Sequence, residues 1–228
     1  MKRPTYIFFD VNETLIDIAP LRDAVAERLG GGAGQGRRWF NALVGYSQAE
    51  TLAGAEHAFA DIAAAVLAML VAEDGGTLSL DEAKALVSDG LGASDAWPDV
   101  ASGLERLKRA GFTLVALTNS GEDGLEDRLA KVGIARHFDV MLSVQPSGAY
   151  KPDRRCYQRG LAETGALAEQ SLMVACHPWD LMGARHAGMD IAFVQRPGCA
   201  WYPLERSAAF HVQTIEELAD ALAQGEMS

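Results

Sequence analysis

The sequence predicts an α/β protein, an open parallel sheet whose first strand is followed by a helical insertion. Three observations carry this. Five short apolar runs, 5–10, 112–118, 138–144, 171–176 and 191–194, lack the strict alternation of half-exposed strands, as strands covered on both faces do. Helical patterns separate the later runs, the arrangement of βαβ units. Residues 18–96, by contrast, are Ala-rich and carry no convincing strand. The expected division is a core of 1–17 and 97–228 and a helical cap of 18–96.

Taken in order, the first run, YIFF, leads straight into Asp10, with polar Asn12, Glu13 and Thr14 close behind. In the insertion, GGGAGQG (30–36) follows no strand and lacks dinucleotide-fingerprint spacing, so it reads as a flexible loop. SLDE (79–82) reads as a capping box opening a helix. VASGLERLKRAG predicts a helix stopped by Gly111. GLEDRLAKVG sets Leu125, Leu129 and Val132 on one face and stops at Gly133, and GARHAG ends at Gly188.

The formal net charge of −11 argues against nucleic acid or an anionic membrane as partner. The N-terminal apolar run is too short for a signal peptide, and the longest apolar stretch, 62–70, is too short to span a bilayer. Cys156, Cys176 and Cys199 match neither a zinc spacing nor a disulfide framework, which points to a reducing, cytoplasmic location.

Ligands of an open parallel sheet bind beyond the carboxyl ends of its strands. Asp10 stands at such an end, as do Thr118 and Asn119 after FTLVALTN, Lys151 in GAYKPD, and Cys176, His177 and Asp180 after SLMVAC. Each has a plainer reading. Asp10 and Asp180 are ordinary helix caps, Thr118 and Asn119 turn residues, and Lys151 a solvated loop lysine. Cys176 reads as a small buried residue, facing away from His177 because strand neighbours alternate. Trp39 and Tyr46 read as core, and His57, His137, His186 and His211 as structural.

The segments FFDVNETL, LTNS, KPDRRCY and ACHPWDLMGARHAG, in that order, resemble the haloacid dehalogenase superfamily, most closely its type II L-2-haloacid dehalogenases. The resemblance implies a Rossmann-like core with a helical cap and a hydrolase that turns a 2-haloacid into a 2-hydroxyacid and halide through an aspartyl ester. By position, Asp10 matches the nucleophile, Lys151 the lysine facing it, Asp180 the acid that assists hydrolysis, and Thr14 the threonine that holds the neighbourhood. Thr118, Asn119, Val11, Asn12, Tyr157, Phe40, Trp179 and His177 fall at or beside substrate positions. No metal or cofactor is implied, and relatives with this cap are often homodimers.

Three departures bear on the chemistry. Phosphatases of the superfamily carry a second aspartate two residues after the nucleophile, which protonates the leaving alkoxide. Asn12 cannot donate that proton, whereas departing halide needs none. Where those phosphatases place a magnesium-binding acid stands Cys176, a poor ligand for a hard cation. The arginine usual in the cap aligns with Phe40, leaving Arg37, Arg38 or His177 as candidates to hold an anion. The alternatives are a phosphatase with an atypical metal site and a non-catalytic binding protein of the same fold.

Overall fold

The computed structural model describes residues 3–32 and 34–224. Strand β1 (Tyr6–Phe9) is followed by two-residue strands β2 (Ile16–Asp17) and β3 (Asp95–Ala96), which pair antiparallel with each other. Then come β4 (Thr113–Thr118), β5 (Val140–Ser143), β6 (Ser171–Ala175), β7 (Asp190–Val194) and β8 (Phe210–Val212). The six longer strands form one sheet in the order β5-β4-β1-β6-β7-β8, every pair parallel. Ile7, Phe8 and Phe9 are fully buried because β1 lies mid-sheet with both faces covered. Phe8 sits in register with Val115 on one side and Met173 on the other.

From β1 the chain builds outward through β4 and β5, then crosses back to start β6 on the opposite side. The direction of winding thus reverses at β1, and such a switch point opens a crevice at the strand ends. Asp10, one residue past β1, stands there.

Between β2 and β3 lie four helices, α1 (Ala19–Arg28), α2 (Gln35–Ala53), α3 (Phe59–Glu73) and α4 (Leu80–Gly92). Ser79 and Glu82 close a capping box on α4, each side chain accepting from the other's backbone N–H. The glycine-rich loop is shorter than expected, since Gln35 and Gly36 are already helical, and Ala33 within it lies outside the described residues. Trp39 is core and donates its indole N–H to Ala63 O, whereas Tyr46 is 47% exposed. The sheet is flanked by α5 (Val100–Arg109), α6 (Leu125–Lys131), α7 (Arg154–Thr164), α8 (Pro178–His186) and α9 (Ile215–Gln224). The sequence reading missed the two-residue β2 and β3, the latter inside the stretch 18–96 read as strandless, and it missed β8. Only Phe210 and Val212 of its three residues are buried, too short a run to register as periodicity.

Two glycines make opposite predictions. A Cβ on Gly103 of α5 would lie 2.6 Å from Ile215 Cγ2 and 2.7 Å from its carbonyl carbon, so Gly103→Ala overpacks the α5–α9 contact. The expected loss is about 1–3 kcal/mol. Gly45, on the exposed side of α2, has nothing within 4 Å of that position. Gly45→Ala should gain about 1 kcal/mol from helix propensity alone. Urea midpoints moving in opposite directions check both.

Candidate active site

Asp10 leaves the end of β1 with its amide donating to Val174 O at 3.0 Å, which aims the carboxylate into the crevice. Lys151 follows the loop after β5, and its Nζ reaches back to donate three bonds. These go to Asp10 Oδ1 at 3.1 Å, Asp180 Oδ2 at 2.8 Å and Leu117 O at 2.7 Å. All three ammonium protons are thereby used, as a fully buried lysine requires. Asn119 holds the same loop by accepting from the Lys151 amide at 3.0 Å. Thr14 donates to Asp10 Oδ2 at 2.8 Å while accepting from the Cys176 amide at 3.0 Å, so its single hydroxyl ties β1 to β6. Asp180, in the first turn of α8, receives the Tyr157 hydroxyl at 2.6 Å on Oδ1. Gly183 makes that approach possible, since a Cβ there would stand 2.6 Å from the Tyr157 oxygen.

The two carboxyls are pushed apart. Burial alone would raise Asp10, but Lys151, His177 and Thr14 outweigh it and hold the group well below the usual carboxylate range. Burial raises Asp180, and the negative charge of Asp10 adds to it, beyond what Lys151 takes back. Lys151 is itself raised, because Asp10 and Asp180 overcome its desolvation. Opposite shifts in neighbouring acids are how one site separates an ionised nucleophile from a proton acceptor.

Over Asp10 lies a small pocket lined by Asn12, Phe40, Val44, Phe59, Thr118, Asn119, His177 and Trp179. Lys151, Asp180, Thr14 and Tyr157 lie beneath it, and the Val11 side chain is fully buried, with its carbonyl accepting from Leu15 and Ile16. His177 is stacked between Phe40 and Trp179, at centroid distances of 5.4 and 5.2 Å. Its Nε2 lies 2.8 Å from Glu13 Oε2, and its Nδ1 3.8 Å from Asp10 Oδ2. Arg38 is turned to the surface, bonded to Glu73 and Asp74.

Sequence reasoning missed Glu13. It adopts φ 64°, a left-handed conformation uncommon outside glycine, and this folds its carboxylate back onto His177 and Arg22. Nothing in NET announces this, because an acid in a polar turn looks solvated. Also missed was Arg196, whose Nε donates to Thr14 O at 3.0 Å while its two terminal nitrogens grip Asp99. The alternation argument about Cys176 fails as well. The strand ends at Ala175, and Cys176 Sγ lies 3.6 Å from His177 Nδ1.

Cys176, His177 and Cys199 bring their donor atoms within 4.8 Å of one another. Burial pushes the Cys176 thiol well up. The neighbouring Cys176, with His177, Arg37 and Arg22, brings Cys199 down to about 6 against its own desolvation. These donors do not fit magnesium, which takes oxygen.

An aspartate at the switch point of a parallel sheet, paired with a buried lysine and a second acid beneath a helical insertion, defines a class of α/β hydrolase. The family model described as haloacid dehalogenase-like hydrolase matches residues 5–188, and the chain belongs to that family. Haloacetate dehalogenase H-2 of Moraxella sp. (strain B) is 26% identical over 230 residues, 98% of this chain and 100% of its own. An (S)-2-haloacid dehalogenase of Pseudomonas putida is 26% identical over 223 residues, 97% of this chain and 98% of its own. A crystal structure described as that of a dehalogenase matches with a TM-score of 0.85 at 25% identity, over 98% of this chain and 99% of the other.

Removing the shared cation leaves two buried carboxyls facing each other. Lys151→Ala is therefore expected to cost about 3–5 kcal/mol in urea unfolding. Arg38→Ala, which breaks only exposed pairs, should leave the midpoint in place.

Proposed function

We propose that the protein is an (S)-2-haloacid dehalogenase, working at the junction of a core of 1–17 and 97–228 and a cap of 18–96. The observation that carries this is Asp10, held ionised by Lys151 beneath a mostly apolar pocket, with Asp180 on the same ammonium. Asp10 attacks C2 opposite the halogen, so the C–O bond forms as the carbon–halogen bond breaks and halide leaves with the bonding pair. Water then attacks the ester carbonyl and passes a proton toward Asp180, which frees the hydroxyacid and restores Asp10. Backside attack inverts C2 and gives a (2R)-2-hydroxyacid. Phe40, His177 and Trp179 wall off water from the reacting carbon.

A panel of 2-haloacids and phosphate esters, with and without chelator and Mg²⁺, tests the assignment. Halide release that chelation leaves unchanged is expected. Magnesium-dependent turnover of a phosphate ester instead would make the protein a phosphatase. No turnover of either class would leave it a binding protein. In ¹⁸O-labelled water a single turnover should label the Asp10 carboxylate, and label found only in the product would exclude the ester.

The two carboxylates should separate kinetically. Asp180→Asn is expected to release one burst of halide, stoichiometric with protein, and then stall as the ester. Asp10 lies below the ordinary carboxylate range, so it stays ionised as pH falls through that range. Single-turnover halide release should accordingly stay flat there, measured by rapid quench.

A further inference from the structure

A second cavity, of about 360 Å³, adjoins the pocket over Asp10 and shares Asn12, Phe40 and Phe59 with it. Most of its wall is apolar, from cap residues such as Leu21, Trp39, Leu43 and Val87. One polar corner interrupts it. Arg128, on α6, donates through Nη1 to Ser120 Oγ at 3.4 Å, and Asn12 Nδ2 donates to the same oxygen at 3.2 Å. The Nε and Nη2 of Arg128 are buried without a hydrogen-bond partner, as is Asn12 Oδ1. Among the described residues Arg128 forms no ion pair. The other cation lining the cavity, Lys84, is paired with Asp61 at 2.8 Å. Asp123 also lines it, but is exposed to solvent, where its charge is screened.

A half-buried arginine with two buried, uncommitted nitrogens is costly, and the cost is recovered when a carboxylate or similar anion meets them. Arg128 lines the larger cavity and is not among the residues lining the small pocket over Asp10, which favours an anion on the larger cavity's side. We propose that Arg128, with Ser120, is a second anion subsite, and that the preferred substrates are 2-haloacids with an apolar chain ending in a second carboxylate. The chain would lie along Leu21, Leu43 and Val87, its halogenated end at Asp10 and its far carboxylate on Arg128. This rests on the dehalogenase reading above.

The test compares 2-bromo dicarboxylic acids of increasing chain length with 2-bromo monocarboxylic acids of the same lengths, on the wild type and on Arg128→Met. In the wild type, diacids of one length range should show the lower KM. Arg128→Met should raise KM for those diacids roughly 10- to 100-fold, the loss of a charged hydrogen bond, with kcat held and the monoacids unaffected. Equal effects on both classes, no effect on either, or no wild-type preference for diacids would overturn the proposal. The wild-type comparison decides even if the variant does not fold. If no haloacid releases halide, the dehalogenase reading fails by itself. The subsite is then tested by calorimetry with unhalogenated dicarboxylates and monocarboxylates. Tighter binding of the diacid by wild type, lost in Arg128→Met, supports the subsite, and equal binding overturns it.

Discussion

The site depends on one buried ammonium. Lys151 is sealed from solvent and bonded to two carboxylates and a carbonyl, and each of those partners comes from a different element of the core. Without it, Asp10 and Asp180 could not both be placed where they are, since two acids in so dry a setting would drive each other to neutrality. With it, Asp10 is fixed as an anion and Asp180 is left the more basic of the two. Tyr157, Asn119 and Gly183 all serve this arrangement, by bonding a carboxylate, anchoring the lysine loop, or clearing room for the phenol.

The sheet makes the arrangement reproducible. Asp10, Leu117, Lys151 and Asp180 are remote in sequence, yet β1, β4 and β6 are neighbours, and their carboxyl ends meet at the switch point. Arg196 extends the same logic. Its bidentate grip on Asp99, and Asp99's acceptance of the Ile215 amide, tie the Thr14 turn to the start of α5 and of α9. The Thr14 hydroxyl is thus braced from behind while it holds Asp10. The helices between β2 and β3 contribute Phe40, Val44 and Phe59 to the apolar wall over Asp10.

Much of this was legible in the sequence, and the reasons for success and failure are physical. Buried parallel strands advertise themselves as continuous apolar runs, so β1, β4, β5, β6 and β7 were readable and the half-buried three-residue β8 was not. Asp10, Lys151 and Asp180 interrupt such runs or follow them at strand ends, where a charge stands out. Glu13 and Arg128 do not, and Arg196, though two residues past β7, stands in the polar stretch Gln-Arg-Pro-Gly. Each sits in a polar context whose default is a solvated surface, and only the left-handed turn at Glu13 and the packing around the two arginines draw them inward. The closeness of Cys176 to His177 was hidden for another reason, since alternation holds only while the strand lasts.

The coupling between the two acids gives the proposed reaction an internal timing. Part of what raises Asp180 is the negative charge on Asp10. Once Asp10 is alkylated that charge is gone, and the ammonium that served two anions serves one. The second acid loses one of the influences that raise it, and the ammonium beside it is left to hold it as an anion at the stage when a base is wanted. When water cleaves the ester the charge on Asp10 returns, and with it the original bias. The covalent state of one residue thus sets the readiness of the other, with no moving part beyond a redistribution of charge around a single nitrogen.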